Sequence, residues 1–170
     1  MTMQTDLRQR LLRGCFGAYC LFLLFLLFFC RTVHEHCNVQ THFLNTANLV
    51  PFRTLSRHGK GFLTGLRYLF GEHHTVTWQL RYYGQNLLGN LVMFFPFGML
   101  VPCLLPKCNK LWKTVLLTVC TVTLLEIIQT LLRVGCMDID DLILNTAGAV
   151  GGYLIYRIPP IHRFLRGEEA

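Results

Sequence analysis

The sequence predicts an all-α integral membrane protein: a four-helix transmembrane bundle with a short interfacial or re-entrant helix in its long outer loop. Three observations carry this. Of 170 residues, 52% are hydrophobic and 15% charged, against ~25% charged in ordinary soluble domains. The 13 Phe and most Leu gather in uninterrupted blocks instead of recurring on one helix face, which marks bilayer segments. The net charge is +7; Lys and Arg stand in threes in the N-terminal segment, the loop after the second span and the end of the fourth span with its tail, and the six in the long outer segment count weakly because long loops do. No nucleic-acid motif accompanies that charge, so its expected partner is membrane lipid, whose cytoplasmic leaflet is anionic.

Each element follows in order. Residues 1–13 carry Arg8, Arg10 and Arg13 and read as a cytoplasmic N-terminus. The charge-free run 14–30 is the first span. Cys30-Arg31-Thr32 follows it instead of a small-x-small cleavage site, so the run reads as an uncleaved anchor and not a signal peptide. Residues 31–85 form the long outer segment, too long to be structureless in a compact protein. Within it, Phe62, Leu66, Leu69 and Phe70 recur at helical spacing over 61–71, too short a stretch to cross a bilayer. Trp78, Tyr82 and Tyr83 stand where an interfacial aromatic belt belongs. The second span, 86–105, is interrupted by Pro96 and Pro102. Its glycines, Gly89 and Gly98, invite close helix approach. Lys107, Lys110 and Lys113 fill the next loop. The third span is 114–132 and the fourth 142–158, ended by Pro159-Pro160. Residues 159–170 form a tail with Arg163 and Arg166. The Lys and Arg distribution puts both termini in the cytoplasm, with a single membrane domain over 14–158.

This topology gathers the polar residues at one end. Asn86 and Asn90 open the second span from the outer side. Glu126, Gln129 and Arg133 close the third there, and Asp138, Asp140, Asp141 and Asn145 open the fourth. On a continuous helix Glu126 and Arg133 share a face two turns apart, with Glu126 roughly 10 Å deeper. Asp138, Asp141, Asn145, Gly148 and Gly152 follow 3-4-3-4 spacing along one face, ending in a close-packing pair, Gly148 and Gly152. An ionisable residue in an apolar helix costs ~2.5–3.5 kcal/mol and marks a functional site by default. The outer half of the bundle is therefore the candidate site. The plain readings are helix capping by the aspartates and a structural Glu126–Arg133 ion pair.

Other chemistries are less favoured. His34-Glu35-His36-Cys37 and His73-His74 lack metal-ligand spacing, so no metal is assigned. The three aspartates holding a divalent cation is a minor alternative. No cofactor motif is present. The eight cysteines make no disulfide framework, with one pairing, Cys37–Cys136, left open.

The motif set is specific as an ordered whole. It runs from Asn48-Leu49-Val50-Pro51-Phe52 through Asn86-x-x-Gly89-Asn90 and Phe95-Pro96-x-Gly98 with Pro102. Glu126-x-x-Gln129 and Arg133 follow, then Asp138-x-Asp140-Asp141-x-x-x-Asn145-Thr146-x-Gly148 and Gly152-Tyr153. In these residues, spread over about two-thirds of the chain, it resembles the VanZ-like family of small bacterial membrane proteins, named after a teicoplanin-resistance accessory protein. The resemblance implies a link to low-level glycopeptide resistance and supplies no reaction. Three functions are then in play. The leading one is a non-enzymatic envelope protein that binds a lipid-linked cell-wall precursor, a lipoglycopeptide or another amphiphile through Asn48, Asn86, Asn90, Glu126, Gln129, Arg133, the aspartates and Asn145. The alternative is an intramembrane enzyme with Glu126, Asp138 or Asp141 as catalytic acid or base, although no nucleophile motif is present. A proton-coupled carrier is third, disfavoured by the apolar inner half.

Overall fold

The computed structural model describes residues 2–29, 47–69, 84 and 87–166. Its helices are α1 (Thr2–Phe29), α2 (Arg53–Leu69), α3 (Phe95–Leu104), α4 (Leu111–Leu131), α5 (Ile139–Tyr156) and α6 (Pro159–Arg166), with a 3-10 turn at Pro106–Cys108. Residues 87–93 are also helical and run into α3 through one non-helical position, Phe94. The break falls just before Pro96, which cannot donate to the helical ladder. Three helices are long and apolar enough to cross a bilayer: Leu7–Phe29, Leu87–Leu104 and Leu111–Leu131. They mark a membrane protein. α5 has 18 residues with Asp140 and Asp141 in its first turn, and it is not among those three.

α2 departs from expectation. It begins at Arg53, two turns before the stretch 61–71 assigned to a short helix, because its N-terminus is bound by a buried aspartate described below. The aromatic belt around Trp78, the histidine clusters, Asn86 and Cys37 lie outside the described residues.

Backbone contact between helices sets the core. α5 packs most extensively on α3, then on α4, while α1 leans on α3. A Cβ added at Gly148 would lie 1.9 Å from the Leu91 carbonyl oxygen, and one at Gly152 would lie 2.0 Å from that of Phe95. From the other side, a Cβ on Gly98 would meet the Ala149 carbonyl oxygen at 1.8 Å. Residues 91 and 95 thus pair with 148 and 152 in the same order, so α3 and α5 run parallel with their backbones touching. In lipid, where burial supplies no drive between helices, such small-residue contact is the main source of association. Gly89 has no such role: among the described residues nothing lies within 4 Å of a Cβ built there. Of the two, Gly98, nine residues along, makes the contact.

Around this seam Leu23 and Leu27 of α1, Phe94, Phe97 and Val101, Val122 of α4 and Ala149 form one apolar core. Tyr19 of α1 donates to the Met93 carbonyl at 2.6 Å. The rest of α1 presents Leu21, Phe22, Phe25 and Phe29 outward, a contiguous apolar surface suited to lipid.

α4 ends by a Schellman turn. Val134 N–H donates to Gln129 O (3.0 Å) and Arg133 N–H to Thr130 O (3.1 Å), the paired bonds of that motif. The residue that turns the chain is Arg133, at φ 58°, where glycine is the usual occupant. Arg133 therefore lies past the helix, and the shared face expected for it with Glu126 does not exist.

Two predictions follow from these backbone observations. Gly152→Ala should destabilise the protein by about 1–3 kcal/mol through forced separation of α3 and α5. Gly89→Ala, made in the same helix pair, should be neutral or stabilising by up to about 1 kcal/mol; thermal unfolding in detergent separates the two. Arg133→Gly should raise the unfolding temperature, because it relieves a left-handed residue worth roughly 1–2 kcal/mol.

Candidate functional site

The polar residues expected together divide into two groups with different work. The first is a clamp between the segment 47–55 and the start of α5. Asn48 N–H donates to Met137 O (2.8 Å), and Ile139 N–H donates to Asn48 O (3.0 Å), an isolated parallel bridge between Asn48 and Asp138. The Asn48 side-chain amide donates to Asp138 Oδ1 (3.0 Å) and to Thr54 Oγ1 (2.8 Å). Asp138 Oδ1 also accepts the Asp140 N–H at 2.9 Å, which makes it the N-cap of α5.

Asp140 does the reciprocal job for α2. Its Oδ1 accepts Phe52 N–H at 2.5 Å and its Oδ2 accepts Leu55 N–H at 2.9 Å. Two of the orphan donors at the start of α2 are thereby satisfied by one carboxylate, which also sits favourably at the positive end of the helix. Asp140 has no accessible surface. The backbone at Phe52 is left-handed, φ 64°, a conformation that a bulky residue adopts only when its surroundings impose it. Asn48, Asp138 and Asp140, expected among the ligand-binding residues, are thus engaged in holding α2 to α5. Thr54 is a partner that sequence reasoning missed; a Thr in the first turn of a helix is too common a capping residue to stand out. His58, one turn on, has its pKa lowered chiefly by partial burial and secondarily by Arg57, against the opposing pull of Asp138 and Asp140.

The second group surrounds a cavity of about 20 Å³ lined by Leu27, Asn90, Phe94, Val122, Leu125, Glu126, Gln129, Asp141 and Asn145. Room on this scale admits one water molecule. Four helical segments contribute: Leu27 from α1, Asn90 from the turn before α3, Glu126 and Gln129 from α4, and Asp141 and Asn145 from α5. The 3-4 spacing carries into space, since Asp141 and Asn145 face the cavity while Gly148 and Gly152 on the same side of α5 meet the α3 segment. Asn90 donates its side-chain amide to Asp141 Oδ1. Gln129 Nε2 donates to the Leu27 carbonyl at 2.9 Å, which ties α4 to α1. Glu126 is buried. Asn145 Oδ1 is fully buried with no hydrogen-bond partner among the described residues, and an acceptor left so costs about 1–3 kcal/mol.

Of the sequence-predicted set, Asn90, Glu126, Gln129, Asp141 and Asn145 therefore share one cavity. Asn48, Asp138 and Asp140 form the clamp, Arg133 is the helix terminator, and Asn86 lies outside the described residues. Tyr19 was missed because a phenol in an apolar run reads as lipid-facing. Among the described residues no group of three or more His, Cys, Asp or Glu is placed to hold a metal ion.

The clamp makes a prediction of its own. Asp140→Ala leaves the Phe52 and Leu55 N–H groups without their acceptor, at a cost of about 1–3 kcal/mol. Amide exchange should quicken over the first turns of α2 while the α3–α5 seam stays protected.

Comparison with known proteins places the chain in a family. The VanZ/LLP1 family model matches residues 16–161. The chain is 32% identical over 78 residues to Protein VanZ of Enterococcus faecium, a match that covers 46% of this chain and 48% of that protein. The chain thus aligns with about half the length of that curated relative. No solved structure matches. With the family match running from the middle of α1 to α6, and so across the clamp, the cavity and the glycine seam, the chain belongs to the VanZ/LLP1 family.

Proposed function

We propose that this protein is a four-span membrane protein with both chain ends in the cytoplasm, whose polar cluster receives the polar part of a lipid-linked or amphiphilic envelope ligand from the outer leaflet. In doing so it lowers susceptibility to teicoplanin, the role implied by its likeness to Protein VanZ. The observation that carries the reading is the buried acceptor Asn145 Oδ1, beside the Asn90–Asp141 pair and Glu126 in one cavity. Polar groups at this depth are expensive to maintain in an apolar helix, and an unsatisfied acceptor is a place for a donor to enter.

A cavity of about 20 Å³ is too small for a headgroup, so entry requires a helix to yield. α1 is the candidate because it is the least buried of the three apolar spans. It is held at this level by the Gln129–Leu27 and Tyr19–Met93 hydrogen bonds. Its partial withdrawal would open the cavity sideways to lipid. A second reading is favoured by the presence of two carboxyls, Glu126 and Asp141, on the same cavity. Such a pair can split its pKa values so that one acts as acid and the other as base, in an intramembrane enzyme acting on a cell-envelope lipid precursor.

Expression in a susceptible Gram-positive host tests the first reading. The natural sequence should raise the teicoplanin concentration needed to stop growth. Glu126→Gln and Asp141→Asn, at equal membrane abundance, should return it to the empty-vector value. Unchanged resistance in both variants rejects the polar cluster as the site. Turnover of a lipid-linked precursor by the purified protein, lost in Glu126→Gln, would decide for the enzyme.

A further inference from the structure

The opposite end of the molecule carries a second feature. α6 folds back beneath the helices, with Leu165 buried in a cluster with Cys103, Tyr153 and Tyr156, against which Leu12, Met99 and Ile161 pack. Tyr153 donates to the Asn109 carbonyl at 3.0 Å, and Arg166 Nε reaches the Tyr156 hydroxyl at 3.3 Å. Arg8 of α1 donates to the Phe164 carbonyl at 2.8 Å and lies over the Phe164 ring. This end therefore gathers Arg8, Lys107, Lys110, Arg157, Arg163 and Arg166. The acids with described side chains, Glu126, Asp138, Asp140 and Asp141, belong to the other end.

Within this basic end is a cavity of about 240 Å³ lined by Arg157, Pro159, His162 and Arg163. Its charge comes from side chains. Pro159 and Pro160 remove two of the N–H groups that the start of α6 would otherwise offer, and His162 N–H is engaged by the Ile158 carbonyl at 2.9 Å. His162 is oriented by its ring contact with Tyr156, centroids 5.0 Å apart. Neither the Arg157 nor the Arg163 guanidinium has a hydrogen-bond or ion-pair partner among the described residues. Two exposed arginines lining one open cavity suit a phosphate, which arginine binds through paired N–H groups. The space is smaller than the ~300 Å³ at which pockets for whole drug-sized ligands begin, and suits a headgroup. Exposed apolar side chains flank it: Leu154, one turn before Arg157 on α5, Ile158 just past the end of α5, and Phe164 on α6. A free phosphate has no use for such side chains; acyl chains do.

We propose that Arg157, His162 and Arg163 bind the phosphate of an anionic phospholipid in the leaflet at the basic end, with its acyl chains along Leu154, Ile158 and Phe164. This site is separate from the polar cluster at the other end and does not depend on its function. The lipid would pin α6 flat at the membrane surface and hold the packed ends of α1, α3 and α5 in register. Anionic lipid in the cytoplasmic leaflet is the fitting source.

Native mass spectrometry of the whole purified protein, released from detergent with phosphatidylglycerol, phosphatidylcholine or inorganic phosphate, tests this. Phosphatidylglycerol should be retained in preference to phosphatidylcholine and raise the unfolding temperature. Arg157→Gln with Arg163→Gln should weaken its retention about thirtyfold, taking about 1 kcal/mol per arginine. Lys107→Gln with Lys110→Gln removes equal charge from the same end outside the cavity and should leave retention close to that of the natural sequence. Should the double arginine variant fail to fold, each single arginine variant is set against the corresponding single lysine variant. Equal losses from the arginine and lysine variants would overturn the site in favour of a diffuse basic surface. Retention of inorganic phosphate alone, without preference for phosphatidylglycerol, would overturn the lipid assignment.

Discussion

Everything in this protein hangs on the contact between the backbones of α3 and α5. At Gly98, Gly148 and Gly152 the two helices approach until carbonyl oxygens occupy the places where Cβ atoms would be. Apolar side chains gain little from meeting one another in lipid, so helix association there depends on van der Waals contact at short range. That seam sets the level of α5 relative to the chain before α3. With Gly148 against Leu91, Asn90 is placed where its amide reaches Asp141. Had the helices been held apart by one methyl group, this hydrogen bond would be out of reach, and two polar residues would be stranded in an apolar layer.

The aspartates near the start of α5 show how neighbouring residues of one type acquire unrelated duties. Asp138 caps its own helix, and Asp140 caps α2 from across the fold. Asp141 turns inward to the cavity with Glu126. Asp138 stands outside the helix as its cap, and Asp140 and Asp141 point in different directions because a helix rotates about 100° per residue. The clamp fixes α2 to α5 through backbone and carboxylate hydrogen bonds, while α1 is tied to its neighbours by the Tyr19 and Gln129 hydrogen bonds.

Polar character is also divided along the molecule. The described carboxyls occupy one end, together with Arg53, Arg57, Lys60 and Arg133, while the described charges of the other end are cations alone, with an apolar middle packed by Phe94, Phe97, Val101 and Ala149. α6 and the basic N-terminal turns of α1 are joined through Arg8 and Phe164, so the cationic end is a constructed surface and not a loose tail.

Composition and block patterning by themselves determined the helical membrane class and the approximate apolar spans, because the bilayer demands about 20 apolar residues per crossing whatever the fold. Spacing also determined that Asp141, Asn145, Gly148 and Gly152 share a face, a property of helix geometry alone. Three things depended on tertiary structure. Helical periodicity put Arg133 on one face with Glu126, two turns above it, but the chain leaves the helix at Leu132 through a left-handed residue that no local signal announces. Gly89 and Gly98 are indistinguishable as letters, and only the register of α3 on α5 makes one of them a contact. The aspartates divide between clamp and cavity because Asp140 answers to backbone N–H groups 85 and 88 residues away, a pairing that no window along the chain contains. Local pattern decides which residues can lie on a face; long-range packing decides what that face meets.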